Sequence, residues 1–209
     1  CHITDIHLGS PRSFRYQPAY WENWRTAREQ MAEIEPDLLL VGGDLTRDGT
    51  LHDYEFLAVK DELETLPFPF HAVAGNMDTG DKHAPTQGAF DNRNDLDLNV
   101  TSEQLRRFAW YFGPNNWTFL HRGVRFTGFF AAVAGSGLPE EDELWHFLER
   151  LPALPKARHH VVTTHYPLFI DRPDEKTYDL TDPDHYLDWY FGIDSPQRLR
   201  ILEALKASE

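Results

Sequence analysis

The sequence predicts a single α/β layered domain, and three observations carry that prediction. Short apolar runs alternate with helix-period stretches along the 209 residues; four of those runs end directly in a polar side chain; and no repeat, low-complexity tract or linker divides the chain. In order, Ile3-Thr4 runs into Asp5, and Tyr20, Trp24, Ala27, Met31 and Ile34 then step by 4, 3, 4 and 3 along one helix face. Leu38–Val41 runs into Gly42-Gly43-Asp44. Thr50 stands where it can cap a helix from Leu51 to Leu66, with Asp53 at the capping-box distance. Phe70–Ala74 runs into Gly75-Asn76. Ser102–Phe112 carries Leu105, Phe108 and Phe112 on one side and stops at Gly113-Pro114. Trp117–Leu120 and Val124–Phe130 bracket His121-Arg122-Gly123 as a hairpin, and Glu140–Leu151 returns to helical spacing through Leu144, Leu148 and Leu151. Val161–Thr164 runs into His165, and a last helix opens at Ser195-Pro196 and carries Leu199, Leu202 and Leu205. Two long irregular stretches remain, 76–101 and 166–194, and loops of that length are usually functional or mobile.

Composition narrows the function. A hydrophobic fraction of 41% with 13% aromatic residues is ample for a core. Twenty basic against 34 acidic residues give a net charge of −14, the wrong sign for gripping a phosphate backbone, so nucleic acid is not expected as a partner. No apolar run reaches membrane-spanning length and no signal-peptide pattern appears. One cysteine excludes an intrachain disulfide and leans towards a reducing compartment, so a cytoplasmic location is expected. Because the chain opens Cys1-His2-Ile3, its native N-terminus is expected to be missing. Eleven histidines in an acidic chain are the one compositional sign of chemistry, since imidazole and carboxylate build transition-metal sites.

The chemistry gathers where the apolar runs end. Asp5 and His7 are two residues apart just past a strand, and in extended geometry both point the same way. Asp44 follows two glycines, which let the backbone come close to something. Asn76 repeats the strand–glycine–polar pattern, and Thr164-His165-Tyr166-Pro167 adds an imidazole at a fourth strand end. Each has a plain alternative taken singly: Asp44 as a turn cap, Asn76 as an asparagine turn, His165 as a satisfied interior histidine. Their occurrence in order, each after an apolar strand in a fold class that collects function at strand ends, favours one shared site.

The order Asp-x-His, Gly-Asp-x-x-x-x-Gly, Gly-Asn-x-Asp and a strand ending in His resembles the calcineurin-like metallophosphoesterases, from Asp5 onward. The stretch from His165 to Asp194, rich in Asp, Tyr and Trp, looks most like the cyclic-nucleotide phosphodiesterase branch. The resemblance implies a four-layer α-β-β-α sandwich with two mixed sheets face to face. It also implies two divalent metal ions, Mn, Fe or Zn, with Asp5 and His7 on the first, Asp44 bridging, and Asn76 and His165 on the second. A hydroxide bridging them would attack the phosphorus of a small phosphodiester or phosphomonoester.

Two departures from that pattern shape the expectations. The family's Gly-His-x-His segment does not occur, which implies a chain cut short at both ends, with strands and two ligand histidines beyond Glu209. Metal binding by these 209 residues is then expected to be weak and turnover poor. Met77 also stands where the family has a histidine that serves the leaving group, and methionine has no proton to give. Asp78, that histidine's acidic neighbour, is left with Asn76 as the catalytic pair, and His83 is one substitute donor. The rival expectation is a catalytically impaired member of the fold acting as a binding scaffold. His71, His121, His159 and His160 are read as structural and the Asp182–His185 run as a solvated loop; the alternative there is that Trp189 and Tyr190 stack on an aryl or nucleobase at the site's mouth.

Overall fold

In a computed structural model, residues 1–86 and 96–208 are described. Residues 87–95 of the expected 76–101 loop lie outside them. The first sheet has the order β1 (His2–Ile3), β2 (Leu39–Val41), β3 (Phe70–Ala72), with His2 opposite Leu40 and Leu40 opposite His71. A mixed sheet was expected; these three strands are all parallel. The reason is connectivity: helices α1 (Pro18–Ile34) and α2 (Asp53–Glu64) cross over between them, and a crossover returns the chain in the same direction. The second sheet is mixed, with β4 (Trp117–His121) antiparallel to β5 (Val124–Gly128), and β5 parallel to β6 (His159–Thr163). The β4–β5 turn places Arg122 at φ 50° and Gly123 at φ 81°, the left-handed pair that a two-residue hairpin needs.

Strand alternation sorts the β2 side chains between two cores. Leu39 and Val41 join Trp24 and Met31 of α1 and Phe56, Val59 and Leu63 of α2, while Leu38 and Leu40 join Val73, Trp117, Phe119 and Phe126 between the sheets. The Trp117 indole N–H donates to the Ala72 carbonyl at 2.6 Å, tying one sheet to the other. The chain also forms two short helices, α3 (Asn76–Thr79) and α6 (Tyr186–Phe191). Helix α4 (Ser102–Phe112) buries Leu105, Phe108 and Phe112 behind a capping box formed by Thr101 and Gln104. Leu144 and Leu148 of α5 (Pro139–Arg150) and Ile201 of α7 (Ser195–Ala207) join the main core, and Ser208 at the end of α7 reaches His160 on β6. Sheets packed face to face with helices outside give the expected sandwich.

Some local expectations are corrected. Thr50 does not cap α2; its N–H and carbonyl are taken by Met77 and Arg107, and the helix starts at Asp53. Helix α7 buries Arg198 and Ile201 and exposes Leu199; Asp194, at its capping position, gives its carboxylate to Lys82. Ile34 at the end of α1 is exposed. His71 stacks on Phe119 at 4.1 Å, its pKa lowered by burial, and His160 pairs with Thr127, both structural as expected.

Candidate metal centre

The loops after β1 and β2 run on side by side. The Asp5 N–H donates to Gly43 O and the His7 N–H to Asp44 O, each at 3.0 Å. Asp5 and His7 are not extended as expected: their φ angles are 56° and 46°, and Asp44 has φ 51°. Side-chain convergence therefore comes from a left-handed coil, a conformation uncommon outside glycine and most accessible to Asp, Asn and His. Three of the five expected ligands occupy it.

The result is a single cluster. His7 Nε2 lies 3.6 Å from Asp5 Oδ1 and 3.8 Å from Asp44 Oδ2, and ligand-type atoms of the three residues all fall within 4.8 Å of one another. On the other side, His165 Nε2 lies 3.4 Å from Asp44 Oδ1 and 3.3 Å from Asn76 Oδ1. Asp44 thus turns one oxygen to each imidazole. The glycines admit close approach by the ligands themselves: a Cβ on Gly75 would stand 2.1 Å from Asp44 Oδ1, and one on Gly43 2.5 Å from His165 Nδ1.

Electrostatics follow the geometry. The His7 ring beside Asp5 holds its carboxyl below the usual range. Burial works against a charge on His165, but the Asp44 carboxylate overrides it and pushes the imidazole up to about 9. His165 Nδ1–H donates to the Gly42 carbonyl at 2.9 Å, which aims Nε2 at the two oxygens, the arrangement of a histidine ligand fixed by its far nitrogen. His7 Nδ1 is buried with no partner among the described residues. Asp5, His7 and Asp44 form a group that could hold a metal ion, and Asn76 and His165 stand on the other side of Asp44 with donors of the same transition-metal type.

Asp78 is placed differently from Asn76. It is fully buried behind the cluster, where its carboxylate accepts from the N–H groups of Leu45, Thr46 and Gly75 and from the Thr46 hydroxyl at 2.7–3.2 Å. It clamps the two ligand loops and does not line the cleft. Burial and the nearby Asp44 charge push it up to about 6.

The cleft over the cluster measures about 390 Å³, and Arg47, Met77, Tyr166, Pro167, Tyr190 and Phe191 complete its wall. His83 is not part of it. Trp189 is turned inward, its ring 3.9 Å under the Lys82 ammonium, while the buried Tyr190 and the half-exposed Phe191 line the cleft. Arg47 was missed from sequence, although it lies three residues past Asp44. Its Nε is buried with no hydrogen-bond partner among the described residues, and its guanidinium stands 5.9 Å over the Tyr20 ring.

The family model for calcineurin-like phosphoesterases matches residues 1–198. A probable cyclic nucleotide phosphodiesterase of Pseudoalteromonas sp. strain SM9913 is 35% identical over 82 residues, 39% of this chain and 31% of that protein. A 3′,5′-cyclic-nucleotide phosphodiesterase of Nostoc sp. strain PCC 7120 is 38% identical over 79 residues, 36% of this chain and 29% of that protein. The similarity thus spans about a third of those relatives' length. Among solved structures, a purple acid phosphatase from yellow lupin (Lupinus luteus) covers 93% of this chain and is covered over 33% of its own, at 12% identity and TM-score 0.55. GAP50, the anchor in the inner membrane complex of Plasmodium, covers 99% of this chain and is covered over 61%, at 13% identity and TM-score 0.50. A phosphatase and an anchor share this fold, so the fold alone does not select an activity.

Proposed function

We propose, from the premise that the chain belongs to the calcineurin-like phosphoesterase family, that it serves hydrolysis of a small phosphodiester at a two-ion centre. The observation that carries this reading is the Asp44 carboxylate between two imidazoles, Oδ2 at 3.8 Å from His7 and Oδ1 at 3.4 Å from His165. Asp5, His7 and Asp44 would hold one divalent cation, and Asp44, Asn76 and His165 the other; Mn, Fe and Zn suit these donors. Such ions supply Lewis acidity, drawing charge from phosphoryl oxygens and acidifying water.

The chain's own groups do the rest. Arg47 lines the cleft wall, where its guanidinium would take up a phosphoryl oxygen of the substrate. The half-exposed Phe191 lines the cleft, which suits an aryl or nucleobase substituent and favours the cyclic-nucleotide class that the relatives are named for. Met77 gives the leaving oxygen no proton, and Asp78 is turned away from it. Esters with acidic leaving groups are therefore the better substrates.

Met77 also favours the second reading, a binding scaffold that keeps the ion cage without turnover. Metal analysis after dialysis, together with hydrolysis of bis-p-nitrophenyl phosphate with and without Mn²⁺, separates the two. The expected result is Mn²⁺-dependent hydrolysis that Asp44→Ala lowers by at least about 100-fold, as losing a group that serves both ions should. Ion uptake without turnover establishes the scaffold. Neither uptake nor turnover sinks both.

A further inference from the structure

Asn76 can serve a cation only through its oxygen, because an amide NH₂ has no lone pair to offer. An asparagine at the edge of a cleft can turn over, exchanging the two atoms. In this chain the exchange is blocked by a buried chain of hydrogen bonds. Asn76 Nδ2 donates to the Tyr190 hydroxyl oxygen at 3.1 Å, and the Tyr190 O–H donates to Asp81 Oδ1 at 2.8 Å. Tyr190 is 6% exposed and Asp81 9%. With the phenol proton given to Asp81, the Tyr190 oxygen faces Asn76 as an acceptor, and the amide NH₂ is the end that satisfies it. A reversed amide would set carbonyl against phenol oxygen and aim its NH₂ at the cation.

Tyr190 comes from α6 (Tyr186–Phe191), 114 positions along the chain from Asn76. Its placement is enforced by the residue next to Asp81. The Lys82 ammonium donates to Trp189 O at 2.6 Å and to Gly192 O and Asp194 Oδ1 at 2.9 Å. Two consecutive residues thus grip one segment, Asp81 by the Tyr190 hydroxyl and Lys82 by the backbone on either side of it.

We infer that Asp81 and Tyr190 are positioning residues that lock the Asn76 amide with its oxygen towards the second ion, and that the irregular 166–194 segment is thereby a working part of the metal centre. The inference rests on the reading of Asn76 as a ligand. Groups of this kind, one bond removed from a metal, typically change affinity about 10–100-fold when deleted.

The test is Mn²⁺ titration by calorimetry on the whole chain, with thermal melting of each metal-free variant alongside. Wild type is expected to take two ions. Tyr190→Phe and Asp81→Ala should each leave the ion at Asp5, His7 and Asp44 near wild-type affinity and weaken the other about 10–100-fold. Asp81→Asn, which keeps a carbonyl to accept the Tyr190 proton, should recover most of the loss seen in Asp81→Ala. If Tyr190→Phe does not fold, the two Asp81 variants carry the same comparison. Unchanged binding of both ions in Tyr190→Phe and Asp81→Ala overturns the inference and leaves the two-ion reading standing, as does equal weakening of both ions. A wild type that takes no second ion sinks the two-ion reading, and this one with it.

Discussion

Asp5, His7 and Asp44 stand in the left-handed backbone region, where a residue other than glycine carries roughly 1–3 kcal/mol of strain. Their neighbours hold them there, and glycine is what lets the neighbours come close enough. Gly75→Ala puts a methyl 2.1 Å from Asp44 Oδ1 and 2.3 Å from Asp44 N. It is expected to cost about 1–3 kcal/mol in a urea melt and, on the proposal that Asp44 serves both ions, to weaken Mn²⁺ uptake at both positions. Met77→His tests the other wall of the cleft. It should raise turnover of alkyl phosphodiesters by up to about 10²-fold and leave p-nitrophenyl esters nearly unchanged, since only the former need a proton on the leaving oxygen. Equal gains on both would show that the position acts through binding. The side chains that converge at the cleft and their flanking glycines were legible in the sequence because strand ends mark them. The left-handed coil at Asp5 and His7 was not, because two residues between a strand and a loop give no periodic signal. Asp78 was misplaced for a related reason: a carboxylate two positions from Asn76 reads as part of the site until its four donors, all on the backbone and hydroxyl of neighbouring loops, are seen.

At the scale of elements, helices with an apolar period were readable and the 166–194 segment was not, because polar groups order it. The Glu175 carboxylate accepts from the N–H groups of Ile170, Asp171 and Arg172, and these bonds pull its pKa down against burial. Arg198, 1% exposed, donates to the carbonyls of Pro173, Glu175 and Ile193. A buried arginine takes the place expected of an apolar residue on α7, so that Leu199 is exposed while Leu205 packs against the core as expected. Arg198→Met should cost about 3–5 kcal/mol by urea denaturation, since it strands buried acceptors and the Glu175 charge. Lys82 supplies a pH signature for the same segment. Burial lowers its pKa to about 8, against the partial support of Asp194. Between about 8 and the ordinary lysine value near 10.5 the unfolded chain binds more protons than the folded one, so stability rises with pH across that window. Melts of wild type and Lys82→Met from pH 7 to 10.5 should show wild type gaining roughly 3 kcal/mol on the variant. A constant difference would mean that the lysine titrates normally.

For the whole molecule, the site ties the two sheets together. Asp5, Asp44 and Asn76 follow the three strands of one sheet, and His165 follows β6 of the other. A cation held by Asp44, Asn76 and His165 would therefore cross-link the layers, and it would do so in a chain whose net charge of −14 repels itself. The α/β layering was legible in the strand–helix alternation, and the two-sheet sandwich in the resemblance to the calcineurin-like metallophosphoesterases. That the site spans both sheets was not, since nothing in the sequence says which sheet β6 joins. The consequence is measurable without any substrate. An ion that binds only the folded chain, at about 100 times its dissociation constant, adds about 2.7 kcal/mol. For a domain near 200 residues that is a rise of roughly 5–10 °C in melting temperature. Mn²⁺ should produce it, Ca²⁺ should produce less because imidazole is a poor ligand for it, and NaCl at matched ionic strength should produce little. Asp44→Ala should melt at the same temperature with or without Mn²⁺. If NaCl reproduces the full Mn²⁺ effect, charge screening accounts for it and the layers are not being joined at Asp44.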